Sequence, residues 1–167
     1  WEFVSEVRAA DAATAVFRLR RPVSDAVVEK TLTLRDGHPF LYQEHRILGG
    51  SGGLSAGHHT MCDVANGGVI SFSPKRMALT PDHALERDPA RGRSVLAYPA
   101  RSEQLDSFPL TDGGTADLQS YPLASQNIDL AMLVEANAVR LGWTAVGRKQ
   151  ERDLVIVLKD PDVLPVT

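Results

Sequence analysis

The sequence contains one cysteine, no long apolar run and no cluster of basic residues, and each shortage excludes a class of protein. Cys62 is the single cysteine among 167 residues, so an internal disulfide cannot form. No apolar run approaches the roughly 20 residues that a membrane-spanning helix needs. The 18 Lys and Arg residues are dispersed along the chain among 21 acidic residues, unlike the basic patch of a nucleic-acid-binding protein. We therefore expect neither nucleic-acid nor membrane binding, with the cytoplasm as the default compartment.

The length and the hydrophobic content are those of one globular domain. A chain of 167 residues that is 43% hydrophobic is large enough to bury a core. The sequence starts at Trp1 and not at Met, and it stops directly after the apolar residues 163–166. We therefore expect a single domain over residues 1–167 that is incomplete at one or both ends.

Apolar and polar residues alternate with a period of two in the first third of the chain, a pattern typical of strands with one buried face. The alternation predicts strands over residues 13–20, 27–35 and 39–48. Asp36-Gly37 is a strong turn signal, so we expect the second and third strands to form a hairpin. Residues 143–148 and 154–158 also predict strands, and the second of these is an apolar run suited to a sheet centre.

Residues 127–135 fit two structures. Asn127 resembles a helix cap and Gly142 a helix stop, but apolar residues also occupy alternate positions from Ile128 to Val134. We favour a strand, because strand-like segments follow. Together these patterns predict an all-β, antiparallel chain with more than about 40% strand, well above the ordinary share.

Two segments are expected to be connections. Residues 49–57 are rich in glycine, but no Lys-Ser or Lys-Thr follows, so the segment is interpreted as a turn and not as a phosphate-binding loop. Residues 73–93 are rich in Pro, Asp, Arg and His, and they predict a long surface connection with one helical turn after Thr80. We expect no cofactor at either segment.

His58 and His59 are adjacent and lie close to Cys62 and Asp63. Adjacent residues of a strand point to opposite faces, so the two imidazoles do not readily share one metal ion. Two further interpretations stay open: a structural role at the end of the loop, or a role as general acid or sugar-hydroxyl donor near neutral pH. We expect no tightly bound metal.

The third predicted strand has no cleanly apolar face. Its central residues Glu44, His45 and Arg46 are polar on both sides of the strand. Such a strand fits the wall of a ligand cleft, and it fits equally an edge strand whose charges form solvated cross-strand pairs.

Two runs carry a resemblance to a known family. LTLRDGHPFLYQEHRILGGSGGLSAGHHTM resembles the part of the galactose mutarotase and aldose 1-epimerase superfamily in which two long strands lead to a histidine at the mouth of the sugar cleft. His59-Thr60 is similar to the His-Thr pair of hexose-phosphate epimerase relatives. LGWTAVGRKQERDLVIVLKDPDVLPVT resembles neighbouring late strands of mutarotase-like proteins. The resemblance implies an antiparallel β-supersandwich.

The resemblance also implies a chemistry. In the family a histidine protonates the ring oxygen of a sugar while a glutamate removes the proton of the anomeric hydroxyl, which opens the ring. The histidine is carried over onto His59, and the family's glutamate falls beyond Thr167. The hypothesis is a mutarotase-like isomerase of a hexose or related sugar, with further sugar contacts from His58, His45, Glu44 and Arg46. The alternatives are a non-catalytic carbohydrate-binding or structural β-domain, and a cupin-like barrel that holds a metal through His58 and His59.

Overall fold

A computed structural model describes residues 1–54 and 56–167, and it confirms the all-β class. Strands and bridges account for 44% of the chain and helix for 1%, with antiparallel pairing throughout the sheets. Within the described ranges no helix has the length and apolar character to cross a membrane. The chain divides into two compact units, Trp1–Ala56 and Gly57–Thr167, which are described separately. The expectation of one domain stays a prediction.

The N-terminal unit, Trp1–Ala56, contains one antiparallel sheet whose strands follow each other in chain order. The strands are β1 (Glu2–Arg8), β2 (Ala12–Arg18), β3 (Ala26–Arg35) and β4 (Leu41–Gly49). The three strands predicted by alternation are confirmed to within a few residues. Gly37 adopts a φ of +74°, as expected of the tight turn between β3 and β4.

The pleat gives the sheet of the N-terminal unit two different faces. One face carries Phe17, Leu34 and Leu41, and the last two remain 58% and 57% exposed. The other face carries Thr14 and Thr33, whose hydroxyl oxygens lie 3.0 Å apart in a cross-strand hydrogen bond. Apolar side chains thus line one face without being removed from solvent.

The C-terminal unit, Gly57–Thr167, contains two sheets and a short hairpin. The first sheet has the strand order β10-β5-β12-β13 and the second β11-β6-β7, while β8 and β9 pair with each other. The strands are β5 (Gly68–Phe72), β6 (Lys75–Leu79), β7 (Arg101–Ser102), β8 (Phe108–Pro109), β9 (Thr115–Ala116), β10 (Ser120–Tyr121), β11 (Met132–Glu135), β12 (Gly142–Arg148) and β13 (Asp153–Lys159).

Three expectations for this unit need correction. Residues 127–135 form no helix, but the strand covers Met132–Glu135 alone. The helical turn expected after Thr80 is absent, and a single 3₁₀ turn forms instead at Pro89–Arg91. The apolar run of β13 lies at the edge of its sheet and not at the centre, because β13 pairs with β12 alone among the described strands.

The core of the C-terminal unit is small and lies where β6 meets the segments before and within β8. Ala78, Leu96 and Phe108 are buried and in contact with one another. Half-buried apolar residues surround them: Tyr98, Ala100, Leu105, Leu110, Leu118, Leu123, Ala131 and Leu133. This core anchors the loop between β6 and β7, which carries the cavity described below.

Candidate functional site

The structure divides the five predicted site residues between the two units. Glu44, His45 and Arg46 are consecutive in β4, so Glu44 and Arg46 share one face while His45 lies on the other. His58 and His59 are exposed in the C-terminal unit and belong to no strand. Because neither histidine lies in a strand, strand alternation does not determine where the two imidazoles point, and the role of His59 stays a prediction.

His45 lies beside an aromatic ring on its face of the sheet. The ring centroids of Trp1 and His45 are 6.1 Å apart, and Lys30 Nζ lies 4.5 Å from the centroid of the Trp1 ring. An ammonium at this distance from an indole makes a favourable cation–π contact. Trp1 is still 49% exposed, so part of this ring faces solvent.

A larger site is present in the C-terminal unit, where the loop between β6 and β7, together with Thr111, lines an open cavity of about 750 Å³. Its wall includes both acidic and basic groups together with a phenol, from Asp82, His83, Glu86, Arg87, Arg93 and Tyr98. A volume in this range is typical of small-molecule sites. Neither His58 nor His59 lines the cavity.

Ion pairs fix one wall of the cavity. Arg93 Nη2 donates to Glu86 Oε2 at 2.6 Å, and Arg91 Nη1 donates to the same oxygen at 3.3 Å. These contacts, led by the hydrogen bond from Arg93, hold the pKa of Glu86 below its usual range. The Asp88 backbone N–H also donates to Glu86, at 3.2 Å. Glu86 is therefore ionised, and its hydrogen bonds hold this part of the loop between β6 and β7 in place.

Arg93 retains hydrogen-bonding capacity on this wall. Its Nε is buried and has no hydrogen-bond partner within the described part of the chain. A buried donor without an acceptor is unfavourable by about 1 to 3 kcal/mol.

Tyr98 forms a second fixed part of the wall. Its hydroxyl donates to Asp129 Oδ1 at 3.0 Å and accepts from the Leu130 backbone N–H at 2.8 Å. Asp129 in turn accepts hydrogen bonds from the backbone N–H groups of Val95 and Leu96. Burial, reinforced by Asp129, raises the pKa of Tyr98 to about 12. The phenol is therefore neutral at physiological pH and is held in one orientation.

Three exposed residues complete the cavity on the solvent side: Asp82, His83 and Arg87. No described ion pair involves any of the three. Together they offer an acceptor, a titratable imidazole and a bidentate donor. Sequence reasoning missed these residues because the segment has no hydrophobic periodicity. The high share of Asp, Arg and His in residues 73–93 was the sequence feature that could have indicated a polar site there.

A second group of charges is buried and has a structural role. Glu135 lies 3.0 Å from Lys159 Nζ, accepts a hydrogen bond from Ser73 at 2.8 Å and pairs closely with Lys75. The Lys75 side chain is fully buried and the Glu135 side chain is 4% exposed. Burial alone would raise the pKa of Glu135, but the hydrogen bonds from Lys75, Ser73 and Lys159 together hold it below its usual range. These side chains are almost completely removed from solvent.

Among the residues that the structure describes, no three His, Cys, Asp or Glu side chains come together to hold a metal ion. Comparison with family models, with curated proteins and with solved structures found no match to this chain. The fold and the cavity geometry are therefore the observations on which a function is proposed.

Proposed function

We propose that this chain is a carbohydrate-binding protein of the mutarotase-like kind and that it binds a hexose or a related sugar in the cavity formed by residues 82–98. The observation that carries the proposal is the composition of the cavity wall, in which carboxylates, guanidinium groups, an imidazole and a phenol surround about 750 Å³. The resemblance of the two sequence runs to mutarotases supports the same ligand class and a supersandwich fold.

A sugar suits this wall because each hydroxyl group both donates and accepts a hydrogen bond. Asp82 accepts, Arg87 donates through two parallel N–H groups, and the buried Nε of Arg93 needs an oxygen acceptor. An apolar ligand would leave these groups unpaired. A wall with both signs of charge favours a polyhydroxylated ligand over a strongly charged one.

Ring opening would require a general acid and a general base on opposite sides of one bond. The resemblance implies His59 as the acid, but His59 does not line the cavity, so it would serve only a sugar bound beside the residue 58–59 segment and not one held in the cavity. His83 is a second candidate for the acid, because it lies in the cavity wall beside Asp82. The non-catalytic alternative keeps the cavity and lacks mutarotation.

The cavity is tested by titrating the 167-residue protein with glucose and galactose and following the binding by calorimetry and NMR. Arg87→Ala and His83→Ala should each weaken sugar binding about tenfold or more, the usual effect of losing a hydrogen bond in a partly desolvated site. Both side chains are exposed, so folding is unaffected. Arg140→Ala, another exposed arginine outside the cavity, is the matched control. Unchanged binding in both cavity variants would refute the site.

The histidine pair is tested by polarimetry of mutarotation. If the chain is an isomerase, His59→Ala should lower the turnover rate about a hundredfold or more, the contribution of a general acid, while His58→Ala should change it little. Equal rates in the two variants would remove His59 from the mechanism. A loss in His83→Ala alone would place the acid in the cavity, and sugar binding without mutarotation in the unmodified chain would favour the non-catalytic alternative.

A further inference from the structure

Strand β13, Asp153–Lys159, is the edge of its sheet. It pairs with β12 over its whole length, from Asp153 opposite Arg148 to Lys159 opposite Gly142. No strand within the described ranges pairs with its other side. The outer edge therefore presents unpaired backbone N–H and C=O groups, which are a template for another strand.

The usual protections of an edge strand are missing from β13. The sequence DLVIVLK contains no proline or glycine, and its charges are confined to the two ends. Leu154, Ile156 and Leu158 share one face and remain 59%, 47% and 51% exposed. Natural sheets normally protect such an edge with a central charge, a proline or a bulge. An apolar edge strand of seven residues without these protections indicates a surface that pairs with another strand.

We propose that the partner of this edge is a second copy of the same chain, paired antiparallel about Ile156. The sequence DLVIVLK suits pairing with an antiparallel copy of itself. In that arrangement Asp153 of one copy would lie opposite Lys159 of the other, and Leu154 opposite Leu158. Ile156 would lie opposite itself on the two-fold axis. A parallel pairing in the same register would align Asp with Asp and Lys with Lys, which is unfavourable.

The resulting interface is isologous, so it closes after two copies. The order β10-β5-β12-β13 of one copy would continue into that of the other as one sheet. The exposed leucine and isoleucine side chains would form cross-strand pairs, each of which contributes about 0.2 to 1 kcal/mol. Within its own chain Lys159 lies 3.0 Å from Glu135, and Asp153 pairs with Arg148. Because both terminal charges already have a partner, we expect them to influence the register of the two strands more than the affinity.

The association is tested by light scattering and sedimentation of the 167-residue protein over a wide concentration range. The mass should rise from 18.1 kDa toward twice that value. Ile156→Lys places like charges on the two-fold axis and should weaken the association at least tenfold. Val69→Lys is the matched control, because Val69 is 61% exposed on the same face of an inner strand. A monomer at every concentration, or equal association of both variants, would overturn the proposal.

The register is tested by cross-linking in a Cys62→Ser background. Ile156→Cys brings its own thiol opposite that of the second copy, within the Cα separation that a disulfide accepts, so oxidation should give a covalent dimer. Leu154→Cys is the control, because the two copies of residue 154 would lie about 13 Å apart in this register. Equal cross-linking at both positions would exclude pairing about Ile156. Both side chains are exposed, and circular dichroism checks that each variant is folded.

Discussion

The two units of the chain use the same antiparallel pairing but bury very different side chains. In the N-terminal unit, Ala26 is the one hydrophobic residue that is buried within the described residues, and the apolar face of its sheet stays in solvent. The C-terminal unit buries Leu96 and Phe108 together with the charged group around Glu135. Backbone pairing alone therefore builds a sheet, but a dry interior forms only where segments distant in sequence meet.

This comparison can be tested because each unit contains one of the two tryptophans. Trp1 belongs to the N-terminal unit and Trp143 to the C-terminal unit. Replacing either one by Phe leaves a single fluorophore that reports on the unfolding of one unit. The two reporters therefore distinguish the unfolding of one unit from that of the other.

The largest effect is expected at Phe108, which is fully buried in the core. Phe108→Ala should lower the free energy of unfolding by about 3 to 5 kcal/mol, because it removes apolar contacts and leaves a cavity. Urea titration followed by Trp143 fluorescence measures the change. The matched variant is Phe17→Ala in the N-terminal unit, where the ring is only half-buried and the loss should be clearly smaller. Equal losses of unfolding free energy at the two positions would contradict the conclusion that the C-terminal unit has the more deeply buried core.

A smaller effect is expected from neutralising Glu135. Glu135→Gln leaves Lys75 and Lys159 buried without a counter-charge and should reduce the free energy of unfolding by about 3 kcal/mol, as for other broken buried pairs. Glu29→Gln is the control, because Glu29 pairs with an exposed Arg18 and such pairs contribute at most about 1 kcal/mol. Similar losses in the two variants would show that the buried ion pairs of Glu135 contribute no more to the free energy of unfolding than the exposed pair of Glu29 with Arg18.

The smallest effect is expected in the way the free energy of unfolding declines at acidic pH. The pKa of Glu135 is lower in the folded chain than in the unfolded chain, where it is about 4.3, so its contribution is complete above that pH and is lost as the pH falls through the folded pKa. The free energy of unfolding should therefore decline less below pH 4 in Glu135→Gln than in the unmodified chain. Parallel declines in the two proteins would mean that other carboxylates account for the acid sensitivity.

The sequence predicts strands best where the alternation is unbroken. Residues 13–20, 27–35 and 39–48 were predicted as strands, and β2 to β4 confirm them. Strand β1 was missed because a register shift between Phe3 and Ser5 interrupts its alternation. The apolar run of β13 predicts a central strand, yet β13 lies at the edge of its sheet. A central and an edge strand differ in their pairing partners, and the sequence of one segment does not specify its partners.

Strand β6 and the candidate site illustrate what local patterns cannot supply. Residues 73–93 look polar, yet Lys75 is fully buried because Glu135, 60 residues later, neutralises it. The cavity residues come from a loop whose shape depends on distant anchors such as Asp129, so their convergence is not visible in the sequence. Residue types indicate a polar ligand, whereas tertiary contacts decide which of them share a cavity.

The separation of these partners along the chain also has a kinetic consequence. Glu135 binds Ser73 and Lys75 from 62 and 60 residues away, and Thr167 from 32 residues away. Contacts between such distant positions form late in folding, since closing long loops is entropically unfavourable. We therefore expect the carboxylate to stay hydrated until β6, β11 and β13 have assembled. Interactions that are absent from the transition state slow unfolding without accelerating folding, so this buried group acts mainly on the lifetime of the folded chain.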